Sequence, residues 1–335
     1  MKAITFTDGR LEQKEIELGL LSSQWARIRV AKAGLCGTDV AKISSRNLPP
    51  SHTNILGHEF IGQVVDISGQ GTNISLGDWI VGMPVLNCGK CYACTHRQEN
   101  LCVEAQAIGR TTPGAFAEFV DVPVANVVKI PDPSDPDAYV LTDTLAVCVH
   151  AEKLDTSTVT DRRCLVIGDG IIGSLLAWLL HQRGHDTWIK GIHQENLHFM
   201  EGMGVSTLIT EVPTGYFDVV YETVGRSQQG TLDESLRAVR WGGQVIVVGV
   251  FTPGYTYPLI VRELFIREVL LQGSNAYVPE EFSKAVALIG THQSVLAAFI
   301  SHRFPMSKFE DALETARRKS GRTMKIVLEM GGLSL

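Results

Sequence analysis

The feature that most constrains the fold is a glycine-rich turn, GDGIIG, at residues 168–173. It follows an apolar stretch, CLVIG, and precedes a stretch with helical character, IIGSLLAWLLHQRG. Further apolar segments without alternation are interleaved with helical stretches: TWIKGI, FDVVYETV, QVIVVGV and VLLQGS. Unalternating strands separated by helices are typical of a parallel sheet covered on both faces. This region therefore predicts an α/β domain with a doubly wound parallel sheet.

The glycines of this turn match the pattern GxGxxG, which binds dinucleotides in Rossmann domains when it joins a strand to a helix. The glycines allow the backbone to approach the ligand closely, and the helix N-terminus attracts its pyrophosphate. We predict a dinucleotide site formed by Gly168, Gly170, Ile171, Ile172 and Gly173. The alternative is a glycine-rich turn without a ligand.

The choice between NAD and NADP is made about 20 residues later, at the end of the second strand. An acidic residue there favours NAD, but TWIKGI ends at Gly191, with Lys190 before it and His193 after it. Asp186 lies at the wrong end of the strand, and Glu195 belongs to the next helix. A glycine beside basic side chains leaves room for a 2′-phosphate, so we predict NADP, with NAD as the alternative. The basic residues are solvated in the simpler interpretation.

The first 130 residues are mainly β in character, and a breaker cluster, PDPSDPD, follows at residues 131–137. We expect the next segment, DAYVLTDTLAVCVHAEKL, to form one long helix that leads into the second domain. The net charge of −6 argues against a nucleic-acid partner, which usually binds a basic face. The N-terminal residues do not resemble a signal peptide, and no apolar run is long enough to span a bilayer, which predicts a cytoplasmic protein without a membrane partner.

Cysteines are clustered in the stretch CGKCYACTHRQENLC, within a lobe at about residues 86–104. The spacing of Cys88, Cys91, Cys94 and Cys102 is a strong signal for a metal site. Four thiolates close a tetrahedral shell around zinc and leave no position for a substrate, so this site predicts a structural role. His96 is an alternative ligand.

Polar residues in apolar surroundings indicate a second metal site. Cys36 lies in GLCGTD, His58 and Glu59 lie in ILGHEFIG, and Asp143 interrupts VLTDTLAV. Cysteine, histidine and a carboxylate form a plausible zinc set that leaves one position open. Each residue also has a simpler interpretation: Cys36 as a small buried residue, His58 as a hydrogen-bonded core histidine, and Asp143 as a helix cap.

These motifs together resemble those of the zinc-dependent medium-chain dehydrogenases, the alcohol dehydrogenase superfamily. The resemblance spans nearly the whole chain and is carried by GLCGTD, ILGHEFIGQVV, GDWIVG, the cysteine lobe, GDGIIG, WGGQVIVVG and MKIVLEM. The most similar branch is that of polyol, sorbitol and threonine dehydrogenases. The resemblance implies a GroES-like, mainly β catalytic domain at residues 1–145 and 286–335, and a Rossmann cofactor domain at 146–285.

The resemblance also implies roles for individual residues. Cys36, His58 and Asp143 match the ligands of catalytic zinc, and Glu59 matches a carboxylate that approaches the metal in some relatives. Thr38 matches the hydroxyl that passes on the substrate's proton. Relatives often carry a histidine for the next relay step, and here Lys42 or water would replace it. The cofactor-flanking residues implied in the same way are Thr223, Val248, Val250, Ser274 and Asn275.

The sequence therefore predicts a dehydrogenase with two zinc ions per chain, which transfers hydride between a nicotinamide cofactor and a secondary alcohol, polyol or amino-alcohol, or its ketone. Homodimers or homotetramers are expected from the resemblance. One alternative is a zinc-independent quinone or enoyl reductase of the same fold, which would lack the Cys36, His58 and Asp143 set. A more remote alternative is a non-catalytic NADPH-binding protein or a nucleic-acid-binding protein that uses the cysteine lobe as a zinc knuckle.

Overall fold

The structure is a computed structural model that describes residues 1–45, 53–69, 72–131, 133 and 136–331. The strands are β1 (Lys2–Thr7), β2 (Arg10–Glu15), β3 (Trp25–Leu35), β4 (Glu59–Ser68), β5 (Trp79–Gly82), β6 (Val85–Leu86), β7 (Gln106–Ala107), β8 (Phe119–Pro123), β9 (Val127–Lys129), β10 (Arg163–Ile167), β11 (Asp186–Lys190), β12 (Ser206–Leu208), β13 (Phe217–Glu222), β14 (Val239–Val247), β15 (Leu270–Gly273), β16 (Ile300–Pro305) and β17 (Lys325–Glu329). The α-helices are α1 (Gly37–Ser45), α2 (Tyr92–Thr95), α3 (Pro136–Tyr139), α4 (Thr142–Lys153), α5 (Ile171–Gln182), α6 (Gln194–Gly202), α7 (Gly230–Ala238), α8 (Val261–Arg267), α9 (Pro279–Ala297) and α10 (Phe309–Arg318).

The chain divides into two compact units. The first comprises Met1–Asp143 and Val278–Leu335, and the second comprises Thr144–Tyr277. The later boundary predicted from the sequence, at residue 286, would cut through α9. The observed boundary precedes this helix because α9 packs against α3 of the first unit.

The second unit contains a parallel sheet with the strand order β12-β11-β10-β13-β14-β15. This is the order expected of a doubly wound Rossmann sheet, in which the chain returns to the centre before building the second half. All residues of the central strand β13 are buried, as are four of the five residues in β10. Burial on both faces explains why these strands show no apolar–polar alternation. The predicted fold of this unit is confirmed.

The first unit is built around β3, which pairs antiparallel with β4 along one side. On the other side, β8 pairs with the first half of β3 and β17 pairs with the second half. The sheet continues with β5 and β9 beyond β4, and with β16 beyond β17. Apolar side chains from these strands and from α10 form the core of the unit. The mainly β character predicted for this part of the chain is confirmed.

One predicted element differs. The segment expected to form one long helix is divided into α3 and α4, with Val140 and Leu141 between them. The Thr142 hydroxyl donates a hydrogen bond to the carbonyl of Tyr139 across this break. Asp143 therefore lies in the first turn of α4 and not in the middle of a longer helix.

Two further points concern the predicted organisation. The polar groups of the segment SSRNLPPSHTN, at residues 44–54, suit a hydroxylated substrate and predict that this segment lines the substrate pocket, but residues 46–52 lie outside the described residues. Among the residues that the structure describes, no helix is both long enough and apolar enough to cross a membrane.

The core of the first unit can be tested at Leu328, which is fully buried in β17 opposite Ala33. We expect Leu328→Ala to lower the free energy of unfolding by about 2–5 kcal/mol, because it leaves a cavity in the sheet core. Leu20→Ala is the matched control, since Leu20 is fully exposed. Denaturant unfolding measures both changes, and equal losses would contradict the observed packing.

Candidate active site

The first group of metal-binding side chains lies where β3 ends and β4 begins. Cys36 follows β3 directly, while His58 and Glu59 lie at the start of β4. Because Gly34 pairs with Glu59 across these antiparallel strands, the two segments meet. The thiol of Cys36, the imidazole of His58 and a carboxylate oxygen of Glu59 all lie within 4.8 Å of one another.

This donor set fits zinc, which binds sulfur, imidazole nitrogen and carboxylate oxygen. Cys36 and His58 are half-buried, whereas Glu59 is buried. Asp39 contacts both half-buried members of this set. Its Oδ1 lies 3.5 Å from His58 Nδ1, and its Oδ2 accepts a hydrogen bond from the Cys36 backbone N–H at 3.3 Å. A carboxylate behind a ligating histidine fixes the orientation of the ring.

Asp39 was not assigned a role from the sequence, although it lies in the GLCGTD motif. The charge of Asp39 could have indicated a role, because a carboxylate three residues from a ligating cysteine needs a partner if it is buried. It is in fact fully buried. Burial opposes protonation of His58, but the charges of Asp39 and Cys36 outweigh burial and raise the pKa of His58 well above its ordinary value.

A buried lysine accompanies Glu59. Lys325 Nζ donates to both carboxylate oxygens, at 2.7 and 2.6 Å, and both side chains are buried. Burial lowers the pKa of Lys325, but the charges of Glu59, Cys36 and Asp143 outweigh burial and raise it overall. Lys325 was also missed from the sequence, since it lies in the apolar strand β17, far from Glu59 along the chain. The charge of Glu59 is therefore compensated within the protein.

Asp143 is not brought into the group of Cys36, His58 and Glu59 ligand atoms within 4.8 Å of one another. Its carboxylate acts on the Lys325 ammonium instead, as one of the charges that raise the pKa of that lysine. The break between α3 and α4, which was not predicted, puts Asp143 in a first helical turn. Of the four residues predicted to hold the catalytic metal, the structure assembles Cys36, His58 and Glu59.

Two side chains of α1 lie beside this group. The exposed Thr38 hydroxyl is 3.3 Å from the Cys36 sulfur. Lys42 is half-buried on the same helix, and burial and Arg110 lower its pKa against the opposing charges of Asp39 and Cys36. Thr38 therefore lies beside the candidate metal position, and Lys42 lies close enough for the charges of Asp39 and Cys36 to act on its ammonium.

The second metal group is the cysteine lobe. The sulfur atoms of Cys88, Cys91, Cys94 and Cys102 all lie within 4.8 Å of one another, and all four residues are free thiols. Two of these sulfur–sulfur distances are 3.5 and 3.9 Å. A zinc tetrahedron with bonds of about 2.3 Å requires sulfur atoms about 3.8 Å apart, so the lobe fits zinc.

The thiols of the lobe do not ionise alike. A hydrogen bond from the backbone N–H of Cys94 lowers the pKa of Cys91 to about 7. Desolvation and contact with Cys91 raise the pKa of Cys94 to about 12. Zinc binds thiolates, so its binding at this lobe would release protons. His96 stacks on Tyr92 and is not part of the group.

The glycine turn of the second unit has the geometry of a dinucleotide site. Gly168 has a positive φ of 119°, and an added Cβ at Gly173 would collide with the Gly168 carbonyl. A Cβ at Gly170 would meet no atom within 4 Å from the part of the chain that the structure describes, its sequence neighbours aside, so the space in front of this residue is open. Ile171 and Ile172 begin α5, whose N-terminus suits a pyrophosphate.

The other predicted cofactor residues follow the carboxyl ends of the parallel strands, where ligands of such sheets bind. Thr223 follows β13 and donates its hydroxyl to the Ile167 carbonyl at 2.9 Å. Val248 and Val250 follow β14, and Ser274 and Asn275 follow β15. The Ser274 hydroxyl oxygen is buried and has no hydrogen-bond partner among the described residues. These residues fit a nicotinamide dinucleotide.

A carboxylate from another part of the chain lies against the end of β11, where the sequence predicted none. Asp169, from the glycine turn, accepts hydrogen bonds from the backbone N–H groups of Ile192 and His193 and from His193 Nδ1. Gly191 lies directly against this side chain. Lys190 donates its ammonium to the Ile209 carbonyl at 2.8 Å. The only trace of this contact in the sequence is the aspartate within GDGIIG, and the spacing of the motif does not show that its side chain reaches the end of β11.

Comparisons with known proteins agree with this geometry. Residues 22–132 match the alcohol dehydrogenase GroES-like domain, and residues 193–291 match the zinc-binding dehydrogenase family. The chain is 30% identical to D-altritol 5-dehydrogenase of Agrobacterium fabrum, over 97% of this chain and 98% of the relative. It is 28% identical to L-threonine 3-dehydrogenase of Saccharopolyspora erythraea, over 90% of each chain.

Among solved structures, a zinc-binding dehydrogenase from Sinorhizobium meliloti bound to NADP is 25% identical and has a TM-score of 0.87, covering 98% of this chain and 99% of the other. The alcohol dehydrogenase TADH of Thermus sp. ATN1 is 26% identical and has a TM-score of 0.86, with the same coverage. The chain belongs to the zinc-type medium-chain dehydrogenases, in the branch of polyol and threonine dehydrogenases.

The buried pair of Glu59 and Lys325 can be tested by unfolding. We expect Lys325→Met to lower the free energy of unfolding by about 3–5 kcal/mol, because it leaves a buried carboxylate without its cation. Lys308→Met, which removes an exposed ion pair with Asp311, is the control and should cost about 1 kcal/mol or less. The double variant Lys325→Met with Glu59→Gln should recover much of the loss. A loss no larger than that of Lys308→Met would contradict the pairing.

Proposed function

We propose that this chain is a zinc-dependent oxidoreductase that transfers hydride between a nicotinamide cofactor and a secondary alcohol, polyol or amino-alcohol, or its ketone. The observation that carries the proposal is the group of Cys36, His58 and Glu59 at the junction of β3 and β4. A zinc-independent quinone or enoyl reductase has no need of such a set. The relatives that act on altritol and threonine support a hydroxylated substrate.

Cys36 and His58 would hold the catalytic zinc, with Glu59 within reach. When bound there, zinc supplies Lewis-acid polarisation of the substrate oxygen. The glycine turn would hold the pyrophosphate of a nicotinamide dinucleotide, whose ring would supply or accept the hydride. Asp143, predicted as a further ligand, would need to move to join the set that the structure assembles.

The protein's own groups handle the proton. The Thr38 hydroxyl is exposed beside Cys36 and would accept the hydrogen bond of the substrate hydroxyl. Lys42, whose pKa is lowered by burial, lies on the same helix and would take the next position in the relay. In the ketone direction the same groups would return the proton to the substrate oxygen.

The cysteine lobe would hold a second, structural zinc, since its four thiols leave no position for a substrate. A closed site of this kind stabilises a polar loop. The free thiols of this lobe suit a reducing compartment, which supports a cytoplasmic location. The remote alternative, a zinc-knuckle protein, gives no role to the group at Cys36.

The metal content and the activity test this function together. We expect about two zinc ions per chain by elemental analysis, and oxidation of members of a panel of alcohols, polyols and amino-alcohols with NAD or NADP. Cys36→Ser should lose about one zinc ion and at least roughly 100-fold in kcat/KM. Cys91→Ser should lose the other zinc ion and lower the Tm.

Cys164→Ser is the control, because Cys164 is buried outside both metal groups. It should keep the full zinc content. An original chain with only one zinc ion, whose zinc content Cys36→Ser leaves unchanged, would contradict the catalytic site.

We also propose that the chain forms homodimers or homotetramers. β15 is one of the two edge strands of its sheet, and apolar side chains in the segment that precedes it are exposed, among them Ile260, Val261 and Phe265. Edge strands and apolar patches of this kind pair with second copies.

This assembly is tested with Phe265→Glu, in which a charge replaces a ring that is 79% exposed. We expect light scattering to show a smaller mass than for the original chain, because the charge would be desolvated at the interface. Leu20→Glu, at another exposed position, should keep the original mass. A monomeric original chain would refute the proposed assembly.

A further inference from the structure

Asp169 is a buried carboxylate in the glycine turn whose side-chain hydrogen bonds all reach the segment that follows β11. Its side chain accepts from the Ile192 N–H at 2.9 Å, from the His193 N–H at 2.6 Å and from His193 Nδ1 at 2.8 Å. Its backbone carbonyl accepts from the Asn196 side chain at 2.9 Å. The residue is only 5% exposed. Asp169 therefore holds the turn against the end of β11, together with the hydrogen bond from the Gly168 N–H to the Lys190 carbonyl at 2.8 Å.

The position of Asp169 matters because of Gly191. In Rossmann domains that bind NAD, an acidic side chain at the end of the second strand bonds the ribose 2′-hydroxyl. Here that strand ends before Gly191, and a Cβ added to Gly191 would lie 2.6 Å from Asp169 Cγ. The carboxylate of Asp169 thus occupies the place where a side chain of residue 191 would be. A neighbouring segment supplies the acid that the strand itself lacks.

The same contacts remove the donors that a 2′-phosphate needs. Phosphates bind through N–H groups and cationic side chains. The N–H groups of Ile192 and His193 already donate to Asp169, and the Lys190 ammonium donates to the Ile209 carbonyl. The side chain of Ile192 is apolar and 80% exposed. A phosphate at this place would have to displace a carboxylate of its own charge.

His193 completes the arrangement. The Asp169 carboxylate accepts from His193 Nδ1, which places the proton of a neutral ring on that nitrogen. Nε2 is then an acceptor, and a 2′-hydroxyl is a donor that matches it. The side chain of His193 is 30% exposed, so a ligand can reach it.

We propose that Asp169 determines cofactor specificity, by reading the 2′ position of the adenosine ribose in favour of NAD over NADP. This inference rests on the proposed function, in that it assumes a nicotinamide dinucleotide at the glycine turn. It reverses the NADP preference predicted from Lys190, Gly191 and His193. That prediction rested on the sequence near the end of β11, whereas the carboxylate comes from the turn after β10.

The test compares the dissociation constants of NADH and NADPH, measured by fluorescence titration of the full-length protein without substrate. We expect the original chain to bind NADH more tightly. Asp169→Asn keeps the shape but removes the charge, and should lower the ratio of the NADPH to the NADH dissociation constant by about tenfold or more, as expected for a charged hydrogen-bond partner. The ratio is insensitive to any fraction of misfolded protein, because each preparation is titrated with both cofactors.

Asp186→Asn is the matched control, since it removes the same charge at the opposite end of β11. Its ratio should equal that of the original chain. Tighter NADPH binding by the original chain would overturn the proposal even if Asp169→Asn failed to fold. An unchanged ratio in a folded Asp169→Asn protein would also overturn it. Binding of neither cofactor would refute the proposed function itself, which separates the two failures.

Discussion

The candidate metal site depends on the pairing of β3 with β4 on one side and with β17 on the other. These pairings bring Cys36, the His58–Glu59 pair and Lys325 together from three distant parts of the chain. A carboxylate buried among thiol and imidazole groups would be costly on its own. The contact with Lys325 on the third strand makes its burial tolerable, and the sheet register makes that contact unavoidable.

The two metal groups illustrate different uses of similar ligands. The cysteine lobe is local, because one fifteen-residue stretch provides all four thiols, and it closes around its centre. The group at Cys36 is assembled by the sheet from separate segments, and its exposed neighbour Thr38 leaves it accessible. A closed site stabilises the chain around it, whereas an open site can also act on a ligand.

Much of the fold and both metal groups could be predicted from the sequence, because their sequence signals are local. The glycine turn, the unalternating strands and the cysteine spacing each lie within a short stretch of sequence, and together they predict the fold. The features that were missed are contacts between residues that are distant in the sequence. In the sequence, Lys325 is a single charged residue in an apolar strand, and Asp169 occupies a variable position of the glycine motif. Their roles depend on strand register and on loop contact, which sequence spacing does not express. The division between α3 and α4, which repositions Asp143, was hidden by a continuous apolar pattern.

The distance in sequence between Glu59 and Lys325 has a consequence for biosynthesis. The lysine is 266 residues later in the chain than the carboxylate that it neutralises. At translation rates of about 5–20 residues per second, it is made some tens of seconds after Glu59. β3 and β4 are complete long before then, but the ammonium that compensates Glu59 is not yet part of the chain. Docking of β17 is therefore the step at which the carboxylate can be buried as an ion pair, and we expect Glu59 to stay in contact with water until β17 has been synthesised.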